Sequence, residues 1–302
     1  MTDNLNYLAI DIGGTNIKYG IVDRAGRLIE KHSESTQTTG LSEFLNQLET
    51  IISRYIDGVK GVGISVPGKV DHHDETIYGG GALDFLNKIN LPQKLNISVP
   101  MTVENDGKAA ALSELWLGNL KGIKNGAAIV LGTGVGGGLI LNGAQFSGTH
   151  FQAGELSFLA YHSDLLMAHL EGSLGSAVGM ISRVATALKL PDKHDGFKVF
   201  EAINQHDAIA WPIFESYAMT IALLIYNVQT VVDLQRYVIG GGISEQSIVA
   251  IEIKKAYQTL FARNEIVINT LTPVEIMPSK FGNDANLYGA IYHLLQTIND
   301  EV

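Results

Sequence analysis

Residues 8–23 read LAIDIGGTNIKYGIVD, which is a short apolar run, a glycine turn with a hydroxyl, and a second apolar run. The two apolar runs predict neighbouring strands, and Gly13 and Gly14 permit a tight turn whose N–H groups an anion can approach. A carboxylate repels phosphate directly, so we expect Asp11 to act through Mg²⁺ or an ordered water. The stretch alone leaves a second interpretation open, an ordinary hairpin whose Asp caps its own turn.

The composition is that of an acidic chain without cysteine. Its 302 residues are enough for two compact domains that bury roughly three quarters of their unfolded surface. The formal net charge of -10 argues against binding to nucleic acid or to an anionic membrane, because both need clustered Lys and Arg. Zero Cys excludes disulfides and thiolate metal sites. The first residues lack a signal-peptide pattern and no apolar stretch reaches ~20 residues, so a cytoplasmic location is expected.

The first part of the chain predicts a sheet covered by a helix. Apolar residues at helical spacing predict an amphipathic helix over 41–55, and residues 62–66 predict a buried strand ended by a Pro-Gly pair. The polar run 71–75 contains His72 and His73. We interpret it as a solvated hairpin tip, because consecutive residues on a turn cannot all converge on one metal ion.

A predicted strand over 99–103 ends in Glu104-Asn105-Asp106-Gly107, and a segment rich in helix-forming residues follows. Asn or Asp directly before a helix is typical of an N-cap. One cap is sufficient, so capping explains only one of Asn105 and Asp106.

Residues 127–143 repeat the opening pattern of strand, glycine-threonine turn and strand. Two such loops, at the starts of two halves, suggest duplicated domains that face one phosphate chain from opposite sides. The segment Gly132 to Gly137 also matches the dinucleotide pattern G-x-G-x-x-G. That pattern requires a helix directly after its glycines, whereas an apolar strand follows here, so we reject a dinucleotide-binding fold.

Eight motifs in this order resemble the ROK family of sugar kinases and repressors, within the actin-like ATPase superfamily. They are Asp11-Ile12-Gly13-Gly14-Thr15, Val66-Pro67-Gly68, Glu104-Asn105-Asp106, Gly132-Thr133-Gly134-Val135-Gly136-Gly137-Gly138, Gly154-Glu155, Leu170-Glu171, Gly240-Gly241-Gly242-Ile243-Ser244 and Gly282-Asn283-Asp284-Ala285. The resemblance implies an α/β fold with two ribonuclease-H-like (actin-like ATPase) domains around a central cleft. A smaller domain would comprise residues 1–117 with a returning C-terminal helix over 285–302, and a larger domain residues 118–284.

The resemblance also implies a role for each motif. The catalytic base falls on Asp106, which agrees with the need of a sugar kinase for a carboxylate within reach of the attacking hydroxyl. The implied substrate-binding residues are Asn105, Glu155, Glu171 and Gly68. The implied ATP-binding residues are Asp11, Gly13, Gly14, Thr15, Gly132, Thr133, Gly134, Gly240, Gly241 and Gly242, with Mg²⁺ held near Asp11 through water.

Two departures from the family pattern bear on metal and substrate. The family's Cys-rich zinc loop is absent, with His169 at its last Cys position, so no structural zinc is expected; a site rebuilt from His150, His162 and His169 is the alternative. Phe158 replaces a family His near the anomeric end of the sugar. An aromatic face there favours stacking on a second sugar or an aglycone. Residues 79–83 also lack an Asn found in many glucokinases, as in the zinc-less β-glucoside kinases.

The resemblance therefore implies an ATP- and Mg²⁺-dependent kinase acting on the 6-hydroxyl of a hexose, either glucose or a β-glucoside such as cellobiose. The alternatives are an N-acylmannosamine kinase, a fructokinase or mannokinase, and a non-catalytic sugar sensor or repressor. Only ten residues precede Asp11, too few for a helix-turn-helix module, which argues against a repressor. A homodimer is implied, with no nucleic-acid or membrane partner.

Overall fold

The computed structural model describes residues 5–299. Its strands, in chain order, are β1 (Asn6–Ile12), β2 (Asn16–Asp23), β3 (Leu28–Ser35), β4 (Val62–Val66), β5 (Lys69–Asp71), β6 (Thr76–Tyr78), β7 (Ile89–Asn90), β8 (Met101–Asn105), β9 (Gly126–Leu131), β10 (Val135–Leu141), β11 (Ala144–Phe146), β12 (Arg236–Gly240) and β13 (Glu275–Pro278).

The α-helices are α1 (Leu41–Ser53), α2 (Leu91–Leu95), α3 (Asp106–Leu117), α4 (Glu171–Leu174), α5 (Ala177–Ala187), α6 (Gly196–Asn204), α7 (Ala210–Val232), α8 (Ser247–Phe261), α9 (Glu265–Thr270) and α10 (Ala285–Asn299). Short 3₁₀ turns cover Ile56–Gly58, Asp84–Leu86, Leu156–Phe158, Met167–His169, Gly242–Glu245 and Gly282–Asp284. Among residues 5–299, no helix combines the length and the apolar character needed to cross a membrane.

The chain forms two compact units. The first contains the chain up to Lys121, the segment Gln145–Gly154, and the chain from Asp284 onward; the second contains Gly122–Ala144 and Glu155–Asn283. These units differ from the predicted domains, which placed Gln145–Gly154 in the second one. Two hydrogen bonds hold this segment to the first unit: Gln145 Nε2 donates to Glu104 Oε2 (2.7 Å) and Lys108 Nζ donates to the carbonyl of Phe151 (2.9 Å).

The sheet of the first unit has the order β3-β2-β1-β4-β8. Strands β1, β2 and β3 are antiparallel neighbours, whereas β1, β4 and β8 run parallel, with Asp11 paired to Ser65 and Ser65 paired to Glu104. Because parallel strands end at the same edge of a sheet, Asp11 and the residues after Glu104 lie at one edge. This edge carries three of the polar motifs predicted from the sequence.

Alternating residues of β1 pack into two separate cores, as expected for a strand that is buried on both faces. Leu8, Ile10 and Ile12 pack with the apolar face of α1. Tyr7 and Ala9 pack with α10 through Leu287, Ile291, Leu294 and Leu295. The predicted amphipathic helix over 41–55 is thereby confirmed, and the terminal helix covers the opposite face of the same sheet.

Helix α10 approaches the sheet and α3 through two glycines. A Cβ at Gly63 of β4 would overlap the carbonyl oxygen of Ala290, and a Cβ at Gly289 would overlap the carbonyl oxygen of Ala109 in α3. Any side chain at either position would push α10 away from its neighbours. These contacts fix the position of α3, and therefore that of its first residue, Asp106.

The sheet of the second unit has the order β11-β10-β9-β12-β13. If each sheet's strands are numbered in sequence, both sheets have the spatial order 3-2-1-4-5, since β5, β6 and β7 form a small sheet of their own. The predicted duplication is thus present at the level of topology. The glycines after β9 are followed by strand β10, antiparallel to β9, and not by a helix. This agrees with our rejection of a dinucleotide-binding fold.

Candidate functional site

The turn after β1 is held by residues outside the hairpin. Thr36 donates twice to it, from its backbone N to the carbonyl of Thr15 (2.9 Å) and from Oγ1 to the carbonyl of Gly13 (2.7 Å). A Cβ at Gly14 would lie 2.8 Å from the Cβ of Ala82, so only glycine fits there. The turn keeps Gly14 and Thr15 exposed, as a loop that contacts a ligand through its backbone requires.

Asp11 does not cap its own turn. Its Oδ1 accepts a hydrogen bond from Asn286 Nδ2 of α10 (2.9 Å), and its Oδ2 lies 3.4 Å from Lys18 Nζ of β2. The carboxylate is nearly buried at the end of β1. These contacts orient it at the sheet edge beside the glycine turn.

Asn105 and Asp106 have different roles in the structure, and the sequence left open which of them is the N-cap. Asn105 is the N-cap of α3, because its Oδ1 accepts a hydrogen bond from Lys108 N (3.1 Å), and its Nδ2 donates to the carbonyl of Gly68 (2.9 Å). Asp106 is the first residue of the helix. Its Oδ1 accepts from Asn105 Nδ2 (3.0 Å) and from Gly107 N (2.7 Å). The Asp106 carboxylate is therefore positioned by its neighbours but is not needed as the cap.

Gly68 has a left-handed backbone, with φ of 90°, and a Cβ there would lie 2.5 Å from the backbone N of Gly80. This turn brings the Gly68 carbonyl to Asn105, so the structure joins two of the predicted substrate-binding residues to the predicted base. A side chain at Gly68 would disturb both the turn and the Asn105 amide.

The second unit places two glycine segments at the ends of neighbouring strands. Gly132 follows β9, and its carbonyl accepts hydrogen bonds from the backbone N of Ala177 (2.9 Å) and Val178 (3.3 Å) at the start of α5. Gly240 ends β12, which pairs with β9 in parallel. A Cβ at Gly241, where φ is 91°, would overlap the carbonyl of Leu131. These are the predicted ATP-binding glycines of this unit, and they lie at one sheet edge.

Glu171 lies close to the Gly132–Gly134 turn. A Cβ at Gly134 would meet Ser157 Oγ at 2.9 Å, and a Cβ at Gly172 would meet the same atom at 2.9 Å. Ser157 belongs to the 3₁₀ turn that follows Glu155, and Glu171 N donates to the carbonyl of Leu159 (2.9 Å). The segments that carry the two predicted sugar-binding glutamates of this unit are therefore packed together.

The Glu171 side chain is 0% exposed, and among the described residues neither of its carboxylate oxygens has a hydrogen-bond partner. Burial raises the pKa of Glu171 to about 7, an effect that the nearby Tyr161 hydroxyl partly offsets. A buried acceptor without donors destabilises the folded protein when no ligand is bound. Such a group is suited to receive hydrogen bonds from a polar ligand.

A third group was missed by the sequence analysis. His72 is not part of a solvated tip: its Nε2 lies 3.1 Å from Glu104 Oε1, and His293 Nδ1 of α10 lies 3.8 Å from Glu104 Oε2. Burial alone would raise the pKa of Glu104, but the hydrogen bond from His72 and the charge of His293 bring it down to about 2. Sequence spacing offers no signal for this cluster, because its members come from distant parts of the chain.

The pKa values of the two imidazoles of this cluster shift in opposite directions. Burial alone would lower the pKa of His72, but its hydrogen bond to Glu104 raises the value above the ordinary one. Burial lowers the pKa of His293, and the nearby Glu104 charge offsets only part of this shift.

The histidines considered for a rebuilt zinc site do not form a three-residue ligand group. Within residues 5–299, the only set of three or more His, Asp and Glu whose ligand atoms lie mutually within 4.8 Å is His72, Glu104 and His293. His162 and His169 do contact each other, with ring centroids 4.5 Å apart, and His169 Nδ1 lies 2.9 Å from Asp164 Oδ2. The predicted absence of a structural zinc at the lost Cys loop stays a prediction.

The sequence model of the ROK family matches residues 7–297. The chain belongs to the ROK family. A β-glucoside kinase of Listeria monocytogenes is 28% identical over 304 residues, which cover 96% of this chain and 98% of that protein. A glucokinase of Halalkalibacterium halodurans is 28% identical, over 97% of this chain and 96% of that protein.

Among solved structures, a ROK family protein of Streptococcus pneumoniae in complex with sucrose has a TM-score of 0.86 at 27% identity, covering 98% of this chain and 100% of that one. The identification of the ROK family and the two-domain ribonuclease-H-like fold are thereby confirmed. The enzyme class of the curated relatives, sugar kinase, is the one that the sequence predicted.

Proposed function

We propose that this ROK protein is an ATP-dependent sugar kinase that phosphorylates the 6-hydroxyl of glucose or of a β-glucoside. The observation that carries the proposal is that Asn105, and not Asp106, caps α3. Because Asn105 caps α3, the Asp106 carboxylate has no structural task as the cap, yet it is held in place by the Asn105 amide and by Gly107 N. A carboxylate held in this way is suited to accept the proton of an attacking hydroxyl.

In the proposed reaction, Asp106 accepts the proton of the 6-hydroxyl as that oxygen attacks the γ-phosphorus of ATP, and ADP leaves. Phosphoryl transfer otherwise depends mainly on positioning and on neutralising charge. We assign sugar positioning to Asn105, Gly68, Glu155 and Glu171. The buried Glu171 carboxylate supports this assignment, since sugar hydroxyls would supply the donors that it lacks in the described residues.

We assign the nucleotide to the glycine turns and to Asp11. The exposed backbone at Gly14 and the space around Gly132, where a Cβ would meet nothing within 4 Å, fit phosphate approaching the main chain. The oxygen ligand of Asp11, at the sheet edge beside the first turn, suits Mg²⁺. When bound, Mg²⁺ would neutralise charge on the phosphates, with Asp11 holding it directly or through water.

The preference for a β-glucoside rests on Phe158 and on the relatives. Phe158 is 67% exposed and lies three residues after Glu155, so its ring is available to stack on an aglycone or a second sugar. The Listeria monocytogenes relative is named a β-glucoside kinase and the Halalkalibacterium halodurans relative a glucokinase. Both names agree with a glucosyl group as the part of the substrate that is phosphorylated.

The test is ADP release measured over glucose, mannose, fructose, N-acetylmannosamine, cellobiose and gentiobiose, for the wild type and for Asp106→Asn. We expect the highest kcat/KM with glucose or a β-glucoside, and a loss of kcat on the order of 10²-fold or more in the variant. Glucose binding by calorimetry and the unfolding midpoint serve as controls for the variant's fold. Near-full activity of the folded variant would refute the role of Asp106, and no turnover on any sugar would favour a sensor.

Two further features, a homodimer and a cytoplasmic location, stay predictions. Light scattering coupled to gel filtration tests the first of them.

A further inference from the structure

The cluster of His72, Glu104 and His293 lies in the first unit and contains none of the residues to which we assign sugar and nucleotide, although Glu104 directly precedes Asn105. Its members come from the β5–β6 turn, the end of β8 and the middle of α10. The three ligand atoms lie within 4.8 Å of one another. Three elements that are far apart in sequence therefore bring two imidazoles and one carboxylate to the same point.

The donor set is that of a transition-metal site. Two His nitrogens and one carboxylate oxygen form the protein ligands of many zinc sites, in which water takes the fourth position. At bond lengths of about 2.0–2.1 Å, tetrahedral ligand atoms lie roughly 3.3 Å apart. The separations of 3.1 Å between His72 Nε2 and Glu104 Oε1 and of 3.8 Å between His293 Nδ1 and Glu104 Oε2 are close to this value, with one histidine beside each carboxylate oxygen.

The surroundings also orient these ligands. Glu104 is fully buried and accepts hydrogen bonds from the backbone N of Asn105 (2.7 Å) and from Gln145 Nε2 (2.7 Å), which fixes the plane of its carboxylate. The Phe151 ring lies against the His72 ring, with centroids 5.1 Å apart. Outer hydrogen bonds and apolar cover of this kind hold metal ligands in place.

A hydrogen-bonded cluster without a metal explains this arrangement less completely. One carboxylate satisfies His72, Asn105 N and Gln145, but the 3.8 Å separation leaves His293 Nδ1 beyond hydrogen-bond distance of it. The side chains of His72 and His293 are 21% and 15% exposed, so a small ion can reach the cluster from solvent. A cation bound between the three ligands would use the His293 nitrogen as well.

We propose that His72, Glu104 and His293 bind one divalent transition-metal ion, with zinc as the ion for which this donor set is most typical. Water completes the coordination. Mg²⁺ and Ca²⁺, which prefer oxygen ligands, are not expected to bind there. The bound ion would join α10 and the β5–β6 turn to the end of β8, directly before Asn105 and Asp106, and its role is that of a structural clamp.

The test uses the full chain after treatment with a chelator and buffer exchange. Titration with Zn²⁺ by calorimetry is expected to give one site per chain with micromolar or tighter affinity, and Co²⁺ is expected to give the visible absorption of a low-symmetry site with nitrogen ligands. Zn²⁺ is expected to raise the unfolding midpoint, because a ligand that binds only the folded state stabilises it. Mg²⁺ at the same concentration is expected to leave it unchanged.

Three variants locate the ion. His72 lies on a turn, so His72→Gln is expected to change little of the core and is the main variant. His293→Gln is the second variant. Each is expected to weaken Zn²⁺ binding by at least ~100-fold. His169→Gln is the matched control, because His169 pairs with Asp164 on the surface and would account for adventitious binding. It is expected to retain full affinity.

Three results would overturn the proposal: wild-type protein that binds no Zn²⁺, binding that survives in both His72→Gln and His293→Gln, and binding that is lost in His169→Gln. These readouts need no sugar or ATP, so they are independent of the proposed kinase activity.

Discussion

Glu104 and Glu171 are both fully buried carboxylates, one in each unit, yet their surroundings have opposite effects. His72, Gln145 and the backbone N of Asn105 surround Glu104, and its pKa falls to about 2. Glu171 has no hydrogen-bond partner among the described residues, and burial raises its pKa to about 7. Equal burial therefore yields a stably charged group in one case and an easily protonated one in the other.

This difference indicates a structural role for one carboxylate and a ligand-binding role for the other. A buried charge whose hydrogen bonds are complete stabilises the fold only as long as every partner remains. A buried carboxylate that lacks donors destabilises the empty protein, and the cost is recovered when a ligand supplies them. On this view Glu104 supports the fold around Asp106, whereas Glu171 belongs to the proposed sugar site.

The largest effect is expected from removing the charge of Glu104. Glu104→Gln leaves His72 and Gln145 facing an amide, and we expect the free energy of unfolding to fall by about 4 kcal/mol. Urea unfolding in the presence of a chelator measures this without any contribution from metal. Glu171→Gln is the matched control. At pH 8 it should be as stable as the wild type or more so, and the opposite order of the two variants would contradict the comparison.

A smaller effect concerns pH. The pKa of Glu171 is raised from an ordinary 4.5 to about 7, so the folded state binds an extra proton between these values. The stability of the wild type should therefore fall as pH rises from 4.5 to 7, relative to Glu171→Gln, by up to about 3 kcal/mol. Urea unfolding of both proteins across this range measures the difference. A difference that is constant with pH would show that Glu171 titrates normally.

The smallest effect is expected on sugar binding. Hydrogen bonds to a charged acceptor contribute about 2 kcal/mol, so Glu171→Gln should raise the KM for the sugar roughly 30-fold. The KM for ATP should change little. Steady-state kinetics with each substrate varied in turn gives both values. An equal rise in both would indicate a general disturbance of the second unit rather than loss of a sugar contact.

The fold was predictable where local pattern and topology agree. Hydrophobic periodicity and the positions of glycines predict the strand-turn-strand segments, the helix α1 and the duplication. The assignment of Gln145–Gly154 to the first unit was not predictable, because it depends on hydrogen bonds from Gln145 to Glu104 and from Lys108 to Phe151. Sequence spacing carries no information about such long-range contacts.

The candidate site was predictable to a similar extent. The resemblance placed the base on Asp106 and sugar binding on Asn105, and the structure resolved which of the two residues caps α3. The interpretation of His72 as a solvated residue was wrong, because its partners Glu104 and His293 meet it only after β8 and α10 have packed. The lack of hydrogen bonds to Glu171 could not be predicted either, because it depends on the absence of donors among the side chains that surround it in the folded structure.

The packing of α10 has a consequence for synthesis on the ribosome. The face of β1 that carries Tyr7 and Ala9 is covered by Leu287, Ile291, Leu294 and Leu295. At about 5–20 residues per second, roughly ten to thirty seconds separate translation of Lys121 from that of α10. During that interval the first sheet has an open apolar face, while most of the second unit can already fold. The nascent first unit therefore exposes this apolar face until α10 has been synthesised.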